Sequence, residues 1–189
     1  PLHHPTAQGF CQTVVDGPDD NPSNAAEDLF LQLISRARHT VYITTPYLIV
    51  DVATNTALCN AAKAGVDVRI MTPHIPDKKI VFEVTRAHYD ALLEAGVKIY
   101  EYTPGFIHAK NFVVDGRFAT VGTVNLDYRS LYLHFENSVL LYGGAVLDDV
   151  RRDLAEIEKE SAAVTLADCR TGFFGTLYSA VLRLVAPLC

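Results

Sequence analysis

The sequence predicts an α/β domain built on a mixed, largely parallel β-sheet flanked by helices. Three observations carry this. From residue 24 to residue 102, helix-period runs alternate with β-branched and aromatic runs in the order helix, strand, helix, strand, helix, strand. That order implies right-handed crossovers and parallel pairing. An Asp115-Gly116 pair then separates two apolar runs, which signals an antiparallel hairpin. Finally, 189 residues that are 49% hydrophobic and 20% charged suit one domain with a substantial core.

Taken in order, residues 1–23 are rich in Pro, Gly and Asp around the apolar run from Phe10 to Val15, and read as a linker with one edge strand. His3 and His4 have no Cys or carboxylate at ligand spacing beside them and belong to that linker. Asn24 and Glu27 have capping-box spacing and open a helix with Leu29, Phe30, Leu33, Ile34 and Ala37 on one face. Residues 40–47 read as a strand stopped by Pro46. Asp51 is placed to cap a second helix that ends at Gly65. A strand over 66–73 ends at Pro73, a helix over 78–95 stops at Gly96, and 97–102 is the third strand. After the hairpin, 137–143 forms a further strand and helices fill most of the remainder.

The tail from Gly172 carries Arg183 as its only charge, with Phe173, Phe174, Leu177, Val181, Leu184 and Val185 at near-helical spacing. It is short for a spanning helix, so it either packs as a core helix or rests in a membrane interface. Nothing reads as a signal peptide, and no internal repeat is found. The expected organisation is a linker and edge strand over 1–22, a catalytic domain over 23–163 and an apolar helix over 164–189.

With 16 basic and 22 acidic residues the net charge is −6, a poor balance for coating nucleic acid. One local phosphate pocket remains allowed. Cys11, Cys59, Cys169 and Cys189 form no C-x-x-C and read as free thiols.

The chemistry concentrates in "HAKNFVVDG". In a strand, His108 and Lys110 share a face that continues as Phe112 and Val114. Two basic groups on an apolar face cost solvation unless an anion sits there, and a phosphate fits. With Asp115-Gly116 as a two-residue loop, Val114 pairs with Arg117. The register then sets Thr123 opposite His108 and Asn125 opposite Phe106. Lys110, Asn125 and the Thr123 hydroxyl can donate to anionic oxygens. His108 can act as nucleophile or proton donor, and Gly122 allows backbone to approach a ligand closely. No thiolate or carboxylate pair offers itself to a metal, so metal-free, cofactor-free phosphoryl chemistry is expected.

His108-x-Lys110-x4-Asp115-x6-Gly122-Thr123-x-Asn125 closely resembles the phospholipase D superfamily motif, H-x-K-x4-D-x6-G-[S/T]-x-N, with fixed spacing over 18 residues. The runs "TVYITTPYLIVD", "AGVDVRIMTP", "LLEAGVKIYEYTPGFIHAK" and "ATVGTVNLDYRSLYLHFENSVLLY", with the ending "VLRLVAPLC", resemble the second catalytic half of bacterial cardiolipin synthases. The resemblance implies a phospholipase D-like fold. It also implies transphosphatidylation, in which two phosphatidylglycerols give cardiolipin and glycerol through a phosphohistidine. One histidine attacks phosphorus; the other protonates the leaving alkoxide and deprotonates the incoming alcohol. The nucleophile usually belongs to the first motif copy, which makes His108 the general acid/base. Lys110 and Asn125 would hold phosphate oxygens, and Thr123 stands where serine is more frequent.

The motif aspartate, Asp115, lies on the opposite strand face and is expected to organise the turn. Glu136 matches the acidic position that orients a catalytic imidazole. The implied setting is the bacterial cytoplasmic membrane surface. The second histidine would come from an upstream half of the same protein or from a second copy, and a chain starting at Pro1 is expected to be a C-terminal half.

Tyr47 and Asp51 follow a strand's C-terminal end, where open α/β sheets bind ligands, and are expected to line the alcohol path; packing and capping are the alternatives. His74 in "PHIPDKK" reads as a headgroup rim or a plain surface loop, His134 as packing, and His39 and His88 as surface helix residues. Two other readings stand beside the synthase. One is a single-motif homodimeric phosphodiesterase or nuclease, which the acidic charge disfavours. The other is a non-catalytic half that binds phosphate or lipid headgroups.

Overall fold

The computed structural model describes residues 9–18, 24–169 and 173–188. His3, His4 and Cys189 lie outside them. The chain begins with β1 (Phe10–Asp16), α1 (Ala25–Arg36), β2 (Thr40–Thr44), β3 (Leu48–Ile49) and α2 (Val52–Lys63). It continues with β4 (Asp67–Pro73), α3 (Lys79–Arg86), α4 (Tyr89–Glu94) and β5 (Lys98–Tyr102). The second half holds β6 (Asn111–Val114), β7 (Phe118–Gly122), β8 (Leu126–Asp127), α5 (Tyr128–Tyr132) and β9 (Glu136–Tyr142). It closes with α6 (Val146–Lys159), β10 (Ser161–Val164), α7 (Leu166–Cys169), α8 (Phe173–Val185) and a 3₁₀ turn over Ala186–Leu188.

Eight strands form one sheet in the order β1-β9-β7-β6-β2-β4-β5-β10, and β3 pairs with β8 beside it. The α/β class and mixed sheet hold. The parallel share is smaller than expected: within the eight-stranded sheet β2-β4 and β4-β5 are parallel while the other five neighbours run antiparallel, and β3-β8 adds one parallel pair. The period-two alternation of each strand splits the core into two layers. Val41, Ile43, Val68, Ile70, Ile99, Phe112 and Val114 pack under α1, α2 and α4, with Phe30 stacked on Phe112 at 5.0 Å. Met71, Val113 and Ala119 face Leu147 and Leu154 of α6.

The local signals resolve differently at several places. The Asn24 side chain caps no backbone amide at the start of α1; its Nδ2 donates to Glu27 Oε2 at 2.9 Å. The Ala26 amide donates to Asp16 Oδ2 at 2.8 Å, so the end of β1 serves the helix terminus instead. Asp51 does cap α2, accepting from the Thr54 amide at 2.8 Å, and Gly65 and Gly96 take φ of +94° and +96° where helices were expected to stop. The single helix expected over 78–95 is two, broken at Ala87-His88, which lets Tyr89 turn fully inward and bond Thr72 at 2.7 Å. The sheet also gains β10, which pairs antiparallel with β5. In the tail, Leu182 and Ala186 pack with Ile49, Val84 and Ala87, while Leu177, Val181 and Leu184 face outward. Among the described residues no helix is long and apolar enough to cross a membrane.

The hairpin departs from its expected register by one residue. Asp115 and Gly116 both have positive φ, +52° and +62°, as a type I′ turn requires. Yet Val114 pairs with Phe118, leaving Arg117 as an extra residue. Asp115 explains the stability of this turn. Its carboxylate accepts from the amides of Arg38, His39 and Thr40 at 2.9, 2.7 and 2.9 Å, clamping the hairpin to the start of β2. Burial pushes this carboxyl up, but the three amides outweigh it and hold it below the usual carboxylate range.

A folded-state pKa below the unfolded one contributes stability above the unfolded value, lost as pH falls through the folded one. Asp115→Ala should cost about 1–3 kcal/mol near pH 7 in urea unfolding. Asp115→Asn, which tolerates positive φ, should cost less, and its deficit should shrink below about pH 4. An undiminished deficit at low pH would show that the charge is not what holds the turn.

Candidate active site

The antiparallel pairing of β6 with β2 decides where the motif emerges. Val41 faces Val114 and Thr44 faces Asn111, so the residues just before β6 lie beside the C-terminal ends of β2, β4 and β5. That edge is where open α/β sheets bind ligands. His108 and Lys110 are not in a strand, contrary to expectation; the strand starts at Asn111. His108 is exposed and Lys110 half-buried, so the solvation cost falls mainly on the lysine.

The two side chains still converge. Lys110 Nζ lies 3.0 Å from His108 Nδ1 and donates to the His108 carbonyl at 2.7 Å. An ammonium has no acceptor, so Nδ1 receives the bond and the neutral imidazole carries its proton on Nε2. Burial, then the Lys110 charge, lowers the His108 pKa, against an opposing pull from Asp77. Burial lowers the Lys110 pKa too, opposed by the nearby carboxylates of Glu136 and Asp127.

The one-residue shift moves the opposing strand. Lys110 now lies opposite Gly122, whose amide donates to the Lys110 carbonyl at 3.4 Å. The expected facing of Thr123 with His108 is therefore not formed. Thr123 instead donates its hydroxyl to Glu136 and receives the Asn137 amide at 3.0 Å. Gly122 is also not a ligand-approach glycine. A Cβ there would overlap Ser138 and the Asn137 carbonyl, so the missing side chain serves contact with β9.

Asn125 lies past β7, with Nδ2 donating to Ser130 Oγ at 2.8 Å and Oδ1 buried without a partner. Rotating the amide, with the Ser130 hydroxyl turned from Asp127 to the oxygen, would bring the NH₂ to the orphaned position. An incoming acceptor would satisfy it there. Glu136 is buried, bonded to Thr123 and 3.9 Å from His134 Nδ1; it makes no bond to His108.

Tyr47 comes to the site. Its ring lies 6.4 Å from Phe106, whose ring is 5.6 Å from His108, and its hydroxyl donates to Asp77 Oδ2 at 2.6 Å. Burial, then that bond, pushes the phenol well above the usual tyrosine range. Asp51 does not come to the site. Besides capping α2 it accepts from Tyr132, which also donates to Glu27, so its contacts lie at the junction of α1, α2 and α5. Asp115 sits at the far end of β6 from Lys110.

Three residues at the site were not singled out from the sequence. Asp127 is buried and caps α5 through the Ser130 amide at 2.7 Å; burial pushes its carboxyl up against the opposing Ser130 bonds. Its position two residues after Asn125 was the available signal, together with Ser130 at capping spacing. Asp77, the third, was hidden in the "PHIPDKK" loop. Among the described residues, no group of three His, Cys, Asp or Glu is placed to hold a metal ion.

The family described as "Cardiolipin synthase, PLD-like domain" matches residues 30–157. A cardiolipin synthase of Geobacillus kaustophilus is 38% identical over 189 residues, covering 100% of this chain and 38% of the relative. The chain spans about two fifths of the length of the curated relatives it matches. Phosphatidylserine synthase of Haemophilus influenzae superposes with a TM-score of 0.78 at 16% identity, over 96% of this chain and 48% of that one. Nuc, a phospholipase D family member from Salmonella typhimurium, superposes with a TM-score of 0.70 at 18% identity, over 84% of this chain and 99% of that one. At these identities the two structures speak to the fold alone, and it is the match over residues 30–157 that places the chain in the phospholipase D-like domain family of the cardiolipin synthases.

Proposed function

We propose that the chain supplies one half of a phosphatidyltransferase site of cardiolipin synthase type, converting two phosphatidylglycerols to cardiolipin and glycerol. The observation that carries this reading is the Lys110–His108 contact, a half-buried ammonium resting on an imidazole nitrogen at 3.0 Å with the orphaned amide oxygen of Asn125 in the same motif. A phosphodiester offers the ammonium a better acceptor than the imidazole nitrogen, and offers one to the Asn125 NH₂ once the amide has turned.

When a phosphate enters, Lys110 Nζ moves from Nδ1 to a phosphate oxygen, and Asn125 turns its NH₂ to another. Release of Nδ1 lets His108 bind a proton there, and Glu136, whose charge acts on Lys110, would orient the ring once Lys110 has moved. The anionic phosphate favours the imidazolium. The nucleophilic imidazole comes from a second motif, in an upstream half or a second copy. It attacks phosphorus, and the bond to the glycerol oxygen breaks as His108 Nε2 delivers its proton to that oxygen. The neutral His108 then takes the proton of the second phosphatidylglycerol's hydroxyl. That oxygen attacks the phosphohistidine, cardiolipin forms and the nucleophile is regenerated. The outward Leu177, Val181 and Leu184 of α8 support work at a membrane surface. Tyr47 and Asp77 would line the alcohol's approach.

The test is incubation with phosphatidylglycerol in mixed micelles, with the chain alone and with an upstream half added, scoring cardiolipin and glycerol. Single-stranded DNA digestion runs alongside. Cardiolipin should form and should fall about 10²–10⁴-fold in His108→Ala. DNA cleavage lost in that variant, with lipid untouched, would replace the synthase by a nuclease.

The electrostatics give an independent expectation. Lys110→Met should raise the His108 pKa, and Asp77→Asn should lower it, in an NMR titration of the imidazole. An unchanged value in Lys110→Met would break the proposed coupling of the two side chains.

A further inference from the structure

His74 follows β4 on the same edge of the sheet as His108, and it is not a loose loop residue. Its amide donates to the Tyr102 carbonyl at 3.0 Å, which carries the parallel ladder one residue past the strand. Its Nδ1 lies 2.9 Å from Glu101 Oε2; the glutamate side chain is 5% exposed and the histidine side chain 55%. A carboxylate only accepts, so in the neutral imidazole Nδ1 carries the proton and Nε2 presents its lone pair to solvent. The other oxygen of Glu101 is buried without a hydrogen bond, with Arg86 Nε at an ion-pair distance of 3.4 Å. Arg86 in turn lies over the Phe82 ring at 5.6 Å. A buried carboxylate braced on one side by a guanidinium and gripping an imidazole on the other fixes that ring's tautomer and direction.

The dyad belongs to the rim of the phosphate pocket. Only β2 separates β4 from β6, which puts the two strand ends about 10 Å apart. Asp77, three residues beyond His74, holds the Tyr47 hydroxyl at 2.6 Å, and its charge is felt at His108. A phosphorylated polyol seated by its phosphate on Lys110 would extend its hydroxyls toward this rim.

We propose that His74, fixed by Glu101, is a hydroxyl-binding residue of the site, whose Nε2 accepts a hydrogen bond from a glycerol-type alcohol. This rests on the reading of His108 and Lys110 as a phosphate pocket and adds what selects the alcohol over water. The hydroxyls can come from a lipid headgroup or from a free alcohol; the chemistry at Nε2 is the same.

The test is NMR of the imidazole carbons in the full chain, titrated with inorganic phosphate, sn-glycerol 3-phosphate and glycerol. His108 should respond to phosphate and to glycerol 3-phosphate, and His74 to glycerol 3-phosphate but not to phosphate. A response of His74 to glycerol alone would assign the site to a free alcohol; a response needing the phosphorylated form would assign it to a headgroup. In His74→Ala the dissociation constant for glycerol 3-phosphate should rise about fivefold while that for phosphate stays put, as expected for one neutral hydrogen bond. His74→Gln, which keeps a polar side chain there, should recover part of the loss. The wild-type titration decides the matter even where a variant folds poorly. A silent His74 beside a responsive His108 overturns this proposal alone, as does an equal response of His74 to plain phosphate. Silence of both histidines towards phosphate and glycerol 3-phosphate overturns the phosphate pocket and the hydroxyl site together.

Discussion

The Asp115 carboxylate, accepting three consecutive amides at the start of β2, is the constraint on which the rest of the site depends. It locks the hairpin of β6 and β7 against the parallel core in one register. That register brings Asn111 level with Thr44 and so delivers the chain before Asn111 to the strand ends. A slip of one residue would exchange the two faces of β6, putting Phe112 and Val114 on the wrong side of the sheet. The motif aspartate is therefore structural in its contacts, and its link to chemistry runs through backbone geometry.

At the other end of β6, electrostatics replace packing as the organising principle. Lys110 is half-buried with two carboxylates, Glu136 and Asp127, acting on it from nearby. They oppose the loss of its charge on burial. They do not bind it, and its hydrogen bonds go to His108. A cation retained by carboxylate fields but left with a weak nitrogen acceptor is poised for an anion that offers better oxygens. Transfer of Lys110 to that anion would free Nδ1 and change which imidazole nitrogen carries the proton. Substrate binding and the readiness of His108 are thus one event in this account.

Much of this was legible in the sequence, and the misses have physical causes. Strand-helix alternation from Asn24 to Tyr102 reports core burial directly, so β2, β4 and β5 were found. The fixed spacing from His108 to Asn125 reports one hairpin, so β6 and β7 were found. The hairpin register failed because a type I′ turn with one extra residue looks the same in sequence as a plain two-residue loop. β10 was missed because Ser161, Ala162 and Ala163 have no β preference; pairing with β5 supplies the strand. Asn24 failed as a backbone cap because Glu27 drew its amide and Asp16, remote in sequence, took the helix terminus. Gly122 was assigned to a ligand when strand β9 occupies the space. β10, the start of α1 and Gly122 each turn on a tertiary contact that no local window contains.

The coupling of Lys110 to His108 is the central claim, and a structure of the chain with vanadate bound, as a stand-in for the pentavalent phosphorus of the transfer step, tests it most directly. Vanadate oxygens should lie within hydrogen-bond reach of Lys110 Nζ, His108 Nε2 and the Asn125 amide, with the Lys110 contact to Nδ1 broken. Vanadate bound elsewhere, or bound here with Lys110 still on Nδ1, would contradict it.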